Sequence, residues 1–75
     1  MSGRSRAELA LDENARTWLR RARERKNLTV KQLAAQVGMA ESYYTKIELG
    51  HRDPSVLLAK RISFVLEVSW TRFFE

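Results

Sequence analysis

The 75-residue sequence predicts an all-α fold, a compact bundle of about five helices. Apolar residues recur at the i, i+3, i+4, i+7 spacing of a helix with one buried face. Between these segments stand the residues that start and stop helices: Thr29, Gly38, Gly50, Pro54 and Ser69. A chain this short buries only about 60% of its unfolded surface, so short elements must share one core. It has no cysteine, and packing alone must hold it together.

Residues 1–11, with Arg4 and Arg6, read as a mobile N-terminal arm, and residues 12–75 as the folded domain. From Asp12 to Arg25 a first helix places Ala15, Trp18, Leu19 and Ala22 on one face, with Asp12 as N-cap and Glu13 in the first turn. Its other face carries Arg16, Arg20, Arg21 and Arg25, a solvated basic run. Lys26 and Asn27 link it to the next helix, where Asn tolerates a left-handed backbone. Thr29 opens that second helix. Gln32 three residues on makes a capping box, and Leu28 and Leu33 form a hydrophobic staple. Val30, Leu33, Ala34 and Val37 supply its buried face, and Gly38 ends it in a tight turn because glycine reaches left-handed angles without a Cβ clash.

A third helix, about Glu41 to Leu49, buries Tyr44 and Ile47, shows Glu41, Ser42, Thr45 and Lys46 on another face, and closes at Gly50. Pro54, with Asp53 or Ser55 as cap, then starts a fourth helix. Its apolar face is Val56, Leu57, Ala59, Ile62, Val65 and Leu66. Ser69 caps a last short turn holding Trp70, Phe73 and Phe74.

Thr29, Leu33, Ala34, Gly38, Ser42, Ile47, Glu48, Gly50, Arg52 and Pro54 stand in the order T-x-x-x-L-A-x-x-x-G-x-x-x-S-x-x-x-x-I-E-x-G-x-R-x-P. With Arg23 upstream and S-x-x-x-F-F at Ser69, Phe73 and Phe74, this pattern resembles the lambda repressor and Cro family of helix-turn-helix proteins. The likeness runs from Ala15 to the C-terminus. Val30 stands where the family often has Gln, and Ala40 where it has a Ser or Thr cap.

What the resemblance implies is a bundle containing a helix-turn-helix whose third helix enters the major groove of double-stranded DNA. Glu41, Ser42, Thr45 and Lys46 would face the bases; Glu41 would accept from a cytosine amino group or simply favour the positive end of the helix. Lys31, Tyr43, His51 and Arg52 would hold phosphates, with Tyr43 otherwise a partly exposed core aromatic. Arg23 and Glu48 each lie one residue past a buried stripe, and the resemblance pairs them as an ion pair tying the first helix to the recognition helix. The expected function is a sequence-specific transcriptional regulator that represses or activates by occupying a pseudo-palindromic operator as a homodimer. Trp70, Phe73 and Phe74 are the candidates for its dimer interface, against the reading in which Phe73 folds back on Trp18 and Leu19.

Charge agrees with a polyanionic partner. Lys and Arg number 14 against 9 acids, a formal net charge of +5, and the pI is near 10.2. No apolar run reaches the roughly 20 residues of a membrane span, and no signal-peptide core is present, so a cytoplasmic protein is expected. One histidine, no cysteine and no phosphate-cradling G-x-x-x-x-G-K point away from an enzyme, a metal site or a small-molecule cofactor. The rival is a protein-interaction module, an antitoxin subunit or anti-regulator partner, for which DNA is secondary. A steep salt dependence of DNA binding by the protein alone favours the first reading, and an obligate protein partner the second.

Overall fold

Residues 15–75 are described by a computed structural model, in the order α1 (Thr17–Arg25), α2 (Val30–Val37), α3 (Glu41–Glu48), α4 (Val56–Leu66) and a terminal 3₁₀ helix (Trp70–Phe74). There are four α-helices among them, not five. The last element turns more tightly because it is five residues long and its bonds run three residues back, Arg72 N–H to the Ser69 carbonyl (3.2 Å) and Glu75 N–H to that of Arg72 (3.5 Å). No strand occurs among the described residues.

The helix punctuation is local chemistry. Thr29 Oγ1 accepts from Gln32 N–H at 3.0 Å while Thr29 N–H donates to Gln32 Oε1 at 2.9 Å, closing the capping box. Gly38, at φ 84°, ends α2 with its N–H on the Ala34 carbonyl. Gly50, at φ 79°, stands just past α3, and the N–H groups of His51 and Arg52 fold back onto the Lys46 carbonyl. Ser55, not Asp53, caps α4, its Oγ accepting from Leu58 N–H, and Pro54 is buried just ahead of it.

Two sequence expectations are corrected. Helix α1 starts at Thr17 and not near Asp12. Arg16 has non-helical angles (φ −86°, ψ 77°) and Ala15 precedes the helix. The proposed cap at Asp12, and the arm with Arg4 and Arg6, lie outside the described residues. In α4 the buried face is Ala59, Ile62, Ser63 and Leu66, whereas Val56 and Leu57 are exposed. The run VLLAKRISFVL is apolar on several faces, and the cap at Ser55 and the packing on α2 and the 3₁₀ helix set its phase.

One core joins all five elements: Leu19 and Ala22 of α1, Leu33, Ala34 and Val37 of α2, Tyr44 and Ile47 of α3, the α4 stripe, and Phe73. Trp18 meets Phe73 edge-on at 5.0 Å between ring centroids, so the C-terminal aromatic segment folds back on α1. Phe73 is 4% exposed and already spent on this core, which corrects its candidacy for a dimer contact.

Ser63 carries a buried hydroxyl with no partner. Removing an unpaired buried polar group and gaining the helix propensity of alanine both favour the folded state, so Ser63→Ala should stabilise the domain by about 1 kcal/mol. Thermal unfolding followed by circular dichroism checks it; a lowered midpoint would mean that the hydroxyl is bonded after all.

Candidate nucleic-acid interface

Helix α3 is eight residues long, too short to hold its own shape in water, so neighbours must fix it. Most of that fixing occurs at its C-terminal end. Arg23 donates from Nε to Glu48 Oε2 at 2.6 Å and from Nη2 to Oε1 at 3.4 Å, with both side chains about nine-tenths buried. Its Nη1 also donates to the Leu28 carbonyl at 2.8 Å, so the same fork holds the α1–α2 link. Tyr44 Oη donates to Glu48 Oε2 at 2.7 Å. The hydrogen bond to Glu48 raises the Arg23 pKa, with burial opposing it, and burial followed by the bond to Glu48 pushes the Tyr44 hydroxyl well up.

Arg16 is the residue that sequence reasoning missed. Assigned there to a solvated face, it instead aims its guanidinium inward, with a side chain only 12% exposed. Nη1 donates to the carbonyls of Ile47 (2.7 Å) and Arg52 (3.1 Å), and Nη2 to Asp53 Oδ1 (2.5 Å) and the Phe73 carbonyl (3.5 Å). Its backbone N–H donates to the Glu48 carbonyl at 2.7 Å. One residue thus ties the carbonyl end of α3, through the Ile47 carbonyl at its side chain and the Glu48 carbonyl at its backbone N–H, to the turn beyond and to the 3₁₀ helix. The signal for it was absent from local periodicity, since these partners lie 31 to 57 residues away in sequence.

The other end of α3 is open. Ala40 offers no side-chain cap, and Glu41, Ser42, Thr45 and Lys46 are all exposed. Ser42, Tyr43 and Lys46 line a shallow cleft of about 150 Å³ together with Arg52, which the turn after Gly50 brings back beside the helix. Tyr43 is half-buried, its hydroxyl 3.5 Å from the Asp53 carbonyl. Lys31, in the first turn of α2, and His51 are exposed but do not line this cleft, and neither do Glu41 and Thr45. The cleft therefore offers two cations and two hydroxyls, the donor set that suits an oxyanion such as phosphate. Among the described residues no group of three or more His, Asp or Glu is placed to hold a metal ion, and no helix is long and apolar enough to cross a membrane.

The family model described as helix-turn-helix matches residues 19–73, most of the chain. The uncharacterised HTH-type transcriptional regulator YqaF of Bacillus subtilis (strain 168) is 42% identical over 60 residues, 80% of this chain and 79% of that protein. The HTH-type transcriptional regulator SlrR of the same organism is 43% identical over 58 residues, 76% of this chain but 38% of the longer relative. No solved structure matches the chain significantly.

Glu48→Ala strands the Arg23 guanidinium and the Tyr44 hydroxyl together and should cost about 3–5 kcal/mol, against about 1 kcal/mol for Tyr44→Phe. Arg23→Lys should fall between, because an ammonium has no fork. Urea unfolding of the three variants checks the order, and equal midpoints would contradict it. Because folding raises the Tyr44 pKa, its contribution is complete below about pH 10, the unfolded value, and is lost as pH rises above it. In Tyr44→Phe the alkaline loss of stability should be smaller than in the wild type.

Proposed function

We propose that this chain, which belongs to the lambda repressor and Cro type of helix-turn-helix family and is a DNA-binding transcriptional regulator, reads a pseudo-palindromic operator as a homodimer and represses the promoter it occupies. The observation that carries the reading is the division of α3: its carbonyl end is held by buried ion pairing, and its exposed N-terminal face stands beside the cationic cleft. A major groove admits one helix, and the residues that meet base edges are then Ser42, Thr45 and Lys46, with Glu41 at the positive end of the helix. Lys46 addresses guanine O6 and N7, and Ser42 and Thr45 bond as donor or acceptor.

Phosphate contacts fall to Arg52, Tyr43, Lys31 and His51. Arg52 is the best placed, because its own carbonyl is pinned by Arg16 while its side chain lines the cleft. Backbone contacts of this kind fix where the helix sits and leave sequence preference to the exposed face of α3. Repression by occupancy needs no chemical step, and the protein works in the cytoplasm, where its DNA is.

Binding to a duplex should weaken by orders of magnitude between about 50 and about 200 mM salt. Arg52→Ala should lower the log–log salt slope by about 1 and weaken all sequences alike, whereas Thr45→Ala should relax preference at particular positions by about 1–3 kcal/mol. Fluorescence anisotropy with a duplex pool, followed by selection of bound sites from random sequence, measures both. A flat salt response would remove the phosphate contacts, and an unchanged preference in Thr45→Ala would move that residue off the bases.

A further inference from the structure

The outward face of α4 has no role in the fold or in the proposed DNA contact. Leu57, Lys60, Arg61 and Phe64 follow the i, i+3, i+4, i+7 spacing opposite the buried stripe. Phe64 is 86% exposed and Leu57, two turns earlier on the same face, 58%. Single exposed apolar residues are ordinary, but an aromatic and a leucine aligned on one helix are a surface that water penalises. Beside Phe64 lies an open groove of about 420 Å³, walled by Val37 and Val65 and rimmed by Gln36, Lys60 and Arg61.

We propose that this α4 face is the contact between two copies of the chain, paired antiparallel about a dyad at Phe64. The inference rests on the homodimer reading and supplies the surface that reading needs. Charge placement selects the occupant. Lys60 lies one turn before Phe64 on α4, and Glu67 is the exposed residue just past the helix's C-terminal end. A two-fold axis through Phe64 therefore sets Lys60 of each copy beside Glu67 of the other, while the two phenyl rings share the apolar grooves on either side of the axis. Parallel pairing would instead set Lys60 against Lys60 and Glu67 against Glu67. Glu67 is exposed and already answers to an ammonium, that of Lys26, which holds its pKa low. Lys60 stands over the Trp70 ring at 4.9 Å, so its stem is ordered next to the face it serves. Phe73 is consumed by Trp18 and the core, and Phe64 is the most exposed of the large hydrophobic residues described.

Sedimentation equilibrium of the 75-residue chain, from micromolar to millimolar concentration, tests the surface. The wild type should form dimers. Phe64→Ser should weaken association about tenfold or more, since it withdraws an apolar ring from each side of the contact, and should leave the thermal midpoint unchanged because the ring is outside the core. Lys60→Glu and Glu67→Lys should each weaken association, and the double variant should recover it. Lys26→Ser removes the internal partner of Glu67 and should leave the dimer intact. Undiminished association in both Phe64→Ser and Leu57→Ser, or a double variant no better than the singles, overturns the surface while the homodimer reading stands. A wild type that stays monomeric throughout overturns both, and salt-dependent duplex binding would still be measured separately.

Discussion

The carbonyl end of α3 is the constraint on which the rest of the molecule depends. An eight-residue helix leaves its last carbonyls without internal partners and carries partial negative charge there. Both needs are met by arginines from the start and the end of the first helical segment. Arg16 takes the Ile47 carbonyl through its guanidinium and that of Glu48 through its backbone N–H, and Arg23 takes the Glu48 carboxylate. Cations at this end also have the favourable sign for the helix dipole. Buried charge is costly to assemble, and a well-packed apolar substitute could be as stable. What the fork supplies instead is a single geometry, because a bidentate carboxylate contact and a carbonyl contact together leave the helix little freedom to roll or slide.

That restraint explains the asymmetry of α3. Its N-terminal half has no side-chain cap and buries only Tyr44, so the exposed residues there are free to meet a partner while the helix axis stays where α1 puts it. Had the restraint been at the front, the exposed face of α3 would have been spent on it. The same logic reaches the C-terminus. Phe73 packs on Trp18, Arg72 stands over the Trp18 ring at 4.8 Å, and the Phe73 carbonyl meets Arg16. The end of the chain thus braces the arginine that braces the turn carrying Arg52.

How much of this was legible in the sequence depends on how far each interaction reaches. The capping box at Thr29, the left-handed Gly38 and Gly50, and the stripe of α2 are contacts within a few residues, and spacing alone specifies them. Pairing Arg23 with Glu48 needed the family pattern, because edge-of-stripe positions say where a side chain points and not what it meets. Arg16 was invisible for a related reason. With the helix start placed near Asp12, it fell on a basic face, and only a contact spanning most of the chain turns it inward. In α4 the error was one of phase: eight of eleven residues are apolar, so periodicity did not separate the inward face from the outward one, and Phe64 was left without a role.

Phase also carries a functional argument. A helix with one apolar face needs one partner, and α4 has two such faces: Ala59, Ile62 and Leu66 toward the core, and Leu57 and Phe64 away from it. Local propensity does not call for the second, since Lys, Glu or Gln would serve an exposed helix position at least as well and would be more soluble. Stability of the isolated domain does not call for it either, because Phe64 makes almost no contact with the core. A residue that helps neither the helix nor the fold owes its place to something outside the chain, and that is the need the proposed pairing of two copies would meet.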